Sequence, residues 1–299
     1  MTNRLLLGTV CAAGLLASAL TAACTATEES APGENATGEA APATSTTSEP
    51  APVPAPPHAP GDSPVPPGAA LDISSLEPVP GEYFDYSLCT AAWSFVLDSG
   101  RTIAVTAAHC GEPGDTVWAG NAEGEFTYPA EPVGTVVYSD LSAPDTHGLD
   151  FALVEITRPA EFYTPREMGT QIATGEGRLP DSVCKLGRVT AETCGPLTHA
   201  EGRGTLTIGE RSVDTVSARA QVYSRQGDSG APVYGAPGTP EDGRIVGVLS
   251  GTTGEADETD AADAAGGAAP DCAEAPAQDM SFTVAADIEA VLPEILAGL

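Results

Sequence analysis

Ser229 stands in Arg225-Gln226-Gly227-Asp228-Ser229-Gly230-Ala231-Pro232, a stretch too polar and too rich in small residues to be core. A serine so placed can act as a nucleophile if a tight turn exposes its hydroxyl and backbone N–H groups face the oxygen that turns negative in acyl transfer. Gly227 and Ser229 are the candidates to supply those two N–H groups. The same residue types also suit an ordinary loop, because Gly, Asp and Ser favour turns for unrelated reasons. Partners must decide, since a serine nucleophile needs a general base and a group that orients the base. The histidines are His58, His109, His147 and His199, and all precede Ser229. That excludes the arrangement in which the histidine follows the nucleophile and leaves the order His, Asp, Ser. His109 lies in Thr106-Ala107-Ala108-His109-Cys110, and Asp150 heads Asp150-Phe151-Ala152-Leu153-Val154.

The elements that must carry these residues read as strands. Leu88–Val96 and Arg101–Thr106 are apolar runs joined by Leu97-Asp98-Ser99-Gly100, a hairpin signal that delivers His109 to its end. Further strands are expected at 114–120, 131–138, 151–156, 245–251 and 281–285. Short strands, frequent Gly and Pro, and no long stretch of helical period before the C-terminus indicate an all-β domain. Ile288, Val291, Leu292, Ile295, Leu296 and Leu299 recur at helical spacing, which predicts a C-terminal helix on the second half of the domain, kinked or shortened by Pro293.

Thr106-Ala107-Ala108-His109-Cys110, Asp150-Phe151-Ala152-Leu153 and Gly227-Asp228-Ser229-Gly230-Ala231-Pro232 in one chain resemble the chymotrypsin-like (trypsin-type) serine proteases. The likeness runs over about residues 83 to 299 and points to the bacterial secreted branch that includes the streptogrisins and α-lytic protease. It implies two six-stranded antiparallel β-barrels with a C-terminal helix. It also implies a His109, Asp150, Ser229 triad with an oxyanion hole from Gly227 and Ser229. Lys185, at the place where bacterial relatives carry arginine, would pair with the buried carboxylate of Asp228. Ser250 would hydrogen-bond Asp150, Ser250, Gly251 and Thr252 would pair with the substrate backbone, and Tyr223, Ser224 and Gln226 would border the specificity pocket. Two disulfides are implied, Cys89 with Cys110 and Cys184 with Cys194, with Cys272 left over. The resemblance implies no metal and no cofactor, a peptide or protein as substrate, and a monomer. Tyr223 and Leu249 stand where basic-selective and glutamate-selective relatives carry an aspartate and a histidine, so a small or medium apolar side chain is the expected preference. A catalytically silent binding module and an esterase on the same barrels are the rival readings.

The N-terminus places the chain outside the cytoplasm. Arg4 precedes an apolar run that ends in small residues by Cys24, which reads as a signal peptide because it is shorter than the roughly twenty residues a membrane span needs. Leu20-Thr21-Ala22-Ala23-Cys24 also resembles a lipobox, so residues 1–24 are expected to be a signal peptide of lipoprotein type, with the mature chain starting at Cys24, the candidate lipidation site and sole membrane contact. Residues 25–80, rich in Ala, Pro, Thr, Ser and Glu, read as a disordered linker, and 81–299 as the protease domain with an acidic insertion at about 254–279. Acidic residues number 42 against 12 basic, a net charge of -30 that argues against nucleic acid and anionic lipid surfaces as partners. The cysteines fit an oxidising compartment, which makes the product secreted or surface-tethered.

Overall fold

The first strand comes from a segment whose composition conceals it. In the computed structural model, which describes residues 63–126, 128, 130–173, 178–208, 211–253 and 279–299, strand β1 (Ala70–Ser74) is buried along its whole length. It pairs antiparallel with β2 (Ser87–Thr90) and with β5 (Thr116–Ala119). Ahead of it, the Val65 N–H donates to Ser94 Oγ at 2.9 Å, and that hydroxyl donates to Val65 O, also at 2.9 Å. Residues from 63 onward, and not only those from 81, therefore belong to the folded domain. The Pro- and Ala-rich surroundings hide a five-residue strand whose one charge, Asp72, is answered by Arg188, 116 positions away.

The remaining strands of the first sheet are β3 (Trp93–Val96), β4 (Thr102–Thr106), β6 (Gly134–Ser139) and β7 (Ala152–Ile156), in the order β2-β1-β5-β6-β7-β4-β3. Its two ends are one bent segment. Between β2 and β3, the Ala91 N–H donates to Ala69 O and the Ala92 N–H to Val105 O, both at 2.8 Å, so the sheet curls back on itself. The predicted β3–β4 hairpin turns at Gly100, whose φ of +83° suits glycine. Trp93, Ile103, Phe151 and Leu153 fill the centre with no exposed surface. Each such side chain contributes about 1.5–3 kcal/mol through burial.

The second sheet is a closed barrel ordered β10-β13-β12-β11-β8-β9. Its members are β8 (Ser182–Gly187), β9 (Ala191–Ile208), β10 (Arg211–Gln221), β11 (Pro232–Gly235), β12 (Ile245–Thr253) and β13 (Asp279–Val284). The Cys184–Cys194 disulfide ties directly opposed residues of β8 and β9. Helix α1 (Ala285–Gly298) runs through Pro293 without being shortened. Ile288 and Leu292 before the proline and Ile295 and Leu296 after it all pack on one core, which offsets the roughly 3 kcal/mol that an interior proline costs. That core includes the first barrel's interior, so the helix packs on both barrels and not on the second alone. Among the described residues, no helix is long and apolar enough to cross a membrane. Cys24, Cys272 and most of the acidic insertion lie outside the described residues.

Candidate active site

His109 sits in a single 3-10 turn, Ala108–Cys110, directly after β4, and the Cys89–Cys110 disulfide fastens that turn to β2. Its backbone N–H donates to Asp150 Oδ1 at 3.0 Å, and its Nδ1 meets Oδ2 at 2.8 Å. A carboxylate partner requires the proton on Nδ1, which leaves Nε2 as the basic nitrogen. Burial pulls the His109 pKa down, but the charge and hydrogen bond of Asp150 outweigh it, and the net is a pKa above the ordinary histidine value.

Asp150 is held from both sides. Leu149 and Phe151 flank it in the core, and its N–H donates to Thr283 Oγ1 of β13 at 3.1 Å. The turn before it is organised by Asp140, a residue the sequence reading missed. The Asp140 carboxylate accepts from Tyr138 Oη at 2.7 Å, from Leu149 N at 2.9 Å, and from the His147 backbone, and it meets His147 Nδ1 at 2.8 Å. Burial raises the Asp140 pKa, but the bonds from His147, Leu149 and Tyr138 prevail and hold it below the usual carboxylate value. Nothing in the local sequence separates Asp140 from the other aspartates; only the fold surrounds it with donors. The expected bond from Ser250 to Asp150 is not formed among the described residues. Ser250 Oγ lies 3.4 Å from Thr283 Oγ1, because the threonine hydroxyl of β13 occupies the place beside the Asp150 backbone.

Ser229 rides on a turn seated against the first barrel. Thr90 N donates to Ser229 O and Gly230 N to Leu249 O, both at 2.8 Å, and Thr90 Oγ1 donates to Gly227 O at 2.8 Å. Gly230, at φ +84°, allows the contact: a Cβ there would stand 2.1 Å from Thr106 Oγ1 and 2.3 Å from Thr90 O. The Gly227 and Ser229 N–H groups donate to nothing among the described residues, and the Ser229 hydroxyl makes no hydrogen bond among them. Serine and histidine line the same cleft.

The turn is fastened from below by Asp228, which has no exposure. Its Oδ1 accepts from Val189 N at 2.9 Å and Thr190 N at 3.1 Å; its Oδ2 accepts from Arg225 N at 3.1 Å, from Thr190 Oγ1 and from Lys185 Nζ at 3.0 Å. The Lys185 ammonium, equally buried, also donates to Ala191 O at 3.1 Å and to Thr190 Oγ1. The structure thus brings Lys185 and Asp228 together as the sequence reading expected. Gly187 is required beside them, because a Cβ there would lie 2.1 Å from Asp228 Oδ1. Arg188, next in the chain, reaches the first barrel and bonds Asp72 and Leu71 O.

The cleft continues on both sides of Ser229. One cavity of about 520 Å³ lies between Ser224–Gln226 and Leu249–Thr252; the other, about 560 Å³, borders the Cys89–Cys110 side. Beyond Leu249, β12 pairs with β13 only, so Ser250, Gly251 and Thr252 leave one edge open among the described residues. Ser224 and Gln226 line the first cavity, whereas Tyr223 does not; its carbonyl accepts from Thr193 Oγ1 at 2.6 Å. Among the described residues, Cys184, Glu192 and Cys194 are the one trio near enough to share an ion, and their sulfurs are joined in a disulfide, which removes the thiolates.

The family model described as Trypsin matches residues 86–264. No curated protein matches the chain. Among solved structures it is similar to Thermobifida fusca protease A, at 22% identity and a TM-score of 0.49 over 77% of this chain and 96% of that one. It is also similar to Cellulomonas bogoriensis chymotrypsin, at 21% identity and a TM-score of 0.47 over 77% and 96% of the two chains. A Nocardiopsis protease follows at 18% identity and a TM-score of 0.45, over 76% and 95%.

Proposed function

The chain belongs to the trypsin family of serine endopeptidases, and from that premise we propose that it cleaves peptide bonds through an acyl-enzyme on Ser229. His109 is the general base and Asp150 the group that orients it. One observation carries the reading: a histidine gripped by both oxygens of a buried aspartate shares a cleft with a serine whose own N–H and that of Gly227 donate to no group among the described residues. The Ser229 hydroxyl adds to the substrate carbonyl carbon as its proton passes to His109 Nε2, and the two N–H groups take the new oxyanion. The tetrahedral adduct collapses, the C–N bond breaks, and His109 returns the proton to the leaving amine. Water then attacks the ester as His109 takes one of its protons; the bond to Ser229 breaks, that proton passes from His109 to the serine oxygen, and the acid is released with the remaining hydrogen. Asp150 stays ionised throughout and favours the imidazolium that forms in between. A cleft open on both sides of Ser229 suits cleavage inside a chain. The signal-like N-terminus and two disulfides favour a secreted product, and Cys24 is the site proposed for a lipid anchor. A fluorophosphonate should label the intact protein at Ser229 and leave Ser229→Ala and His109→Ala unlabelled while both stay folded. Labelling of another serine in Ser229→Ala, or none in the parent, would overturn the assignment.

A further inference from the structure

The cleft beside Ser229 carries a charge opposite to that of the chain. In a protein of net charge -30, none of the described residues lining the 520 Å³ cavity is Asp or Glu, while Arg219 and Arg225 both line it. Six of the arginines outside the cavity, Arg101, Arg158, Arg166, Arg178, Arg188 and Arg244, each form an ion pair with a carboxylate. Arg219 forms none among the described residues. It projects from β10 on the face opposite Ala218 and Ala220, which are core, and shares that face with Thr215 and Ser217, which also line the cavity. Its guanidinium extends along the sheet as far as Gly204, where a Cβ would stand 3.3 Å from Nη2. Across the register Arg219 faces Ser281, another lining residue, whose hydroxyl donates to Gly251 O on the open edge of β12 at 3.2 Å. A second signal is independent of charge. Ser224, 2% exposed and lining the same cavity, has a hydroxyl with no hydrogen-bond partner among the described residues. A buried hydroxyl left unpaired is costly unless a ligand completes it.

Resting on the proposed Ser229 chemistry, we infer that this cavity takes an acidic side chain, glutamate or aspartate, on the amino side of the scissile bond. Arg219 supplies the charge and Ser224 a hydrogen bond to the carboxylate. The sequence pointed to an apolar side chain because Leu249 replaces the histidine of glutamate-selective relatives; the cation instead enters from β10, by a register that the motif around Ser229 does not reveal. A charge-assisted pair of this kind separates a carboxylate from its neutral isostere by about 10- to 100-fold.

The test uses the full chain and matched peptides that differ only in Glu, Gln, Asp, Leu or Lys before the scissile bond. kcat/KM for Glu should exceed that for Gln by about two orders of magnitude, and Lys should be the poorest. Arg219→Gln should bring the Glu-to-Gln ratio to near unity, Arg219→Lys should restore part of it, and Ser224→Ala should lower it less. A parent ratio near unity, a preference for Leu, or an unchanged ratio in folded Arg219→Gln would overturn the inference. If either variant fails to fold, the parent ratio alone decides. Fluorophosphonate labelling of the parent keeps the two proposals apart: a labelled protein without acidic preference refutes the pocket, and an unlabelled one refutes the chemistry beneath it.

Discussion

Lys185→Met removes one charge from a site with no access to water while keeping nearly the same shape. In the parent, the ammonium's donors meet Asp228 Oδ2, Ala191 O and Thr190 Oγ1, and neither charged partner has exposed surface. Methionine fills the volume but leaves the Asp228 carboxylate with neutral donors only, from Val189, Thr190 and Arg225. Breaking a buried pair from one side costs about 3–5 kcal/mol. The four remaining hydrogen bonds to Asp228 place the expected loss at the lower end of that range, about 3 kcal/mol. A second consequence is kinetic. Asp228 fastens the turn that presents the Gly227 and Ser229 N–H groups, and misplacing one oxyanion donor costs about 10²- to 10³-fold in kcat. Equilibrium denaturation gives the first quantity and single-turnover acylation by an activated ester the second. Asp228→Asn added to Lys185→Met removes the stranded charge, so the double variant should recover part of the lost stability. Lys185→Arg keeps the charge but crowds a fully buried site, at about 1–3 kcal/mol. A folded Lys185→Met protein within 1 kcal/mol of the parent (about fivefold in the folding equilibrium) and with unchanged acylation would refute the view that this pair holds the turn.

Two further tests address the triad and the anchor. Asp150→Asn is expected to lower turnover by about 10⁴ while the fold persists. It also removes the interactions that raise the His109 pKa, so the limb of kcat/KM that rises as His109 loses its proton should move to lower pH; a pH profile that stays in place would count against the pairing. Cys24→Ala should shift the protein from the membrane fraction to the medium, and equal membrane association in variant and parent would refute lipidation.

What the sequence determined by itself was local chemistry and its order. Ser229 between glycines, His109 after one apolar run and Asp150 at the head of another are short-range patterns, because a turn or a strand end is dictated by the few residues that form it. Most of the short apolar strands and the closing helix were legible for the same reason. Tertiary structure decided everything that depends on which distant residues meet. β1 is a strand because Asp72 finds Arg188 and Val65 finds Ser94. Asp140 is singled out from the other acidic residues because β6 and the turn before Asp150 converge on it with four kinds of donor. Thr283 rather than Ser250 stands beside the Asp150 backbone because β13 crosses there, and Arg219 reaches the cleft because β10 lies against β13 with its core face turned away. A charge buried or left open is a property of its surroundings, and those surroundings come from pairings across the chain that no short stretch encodes.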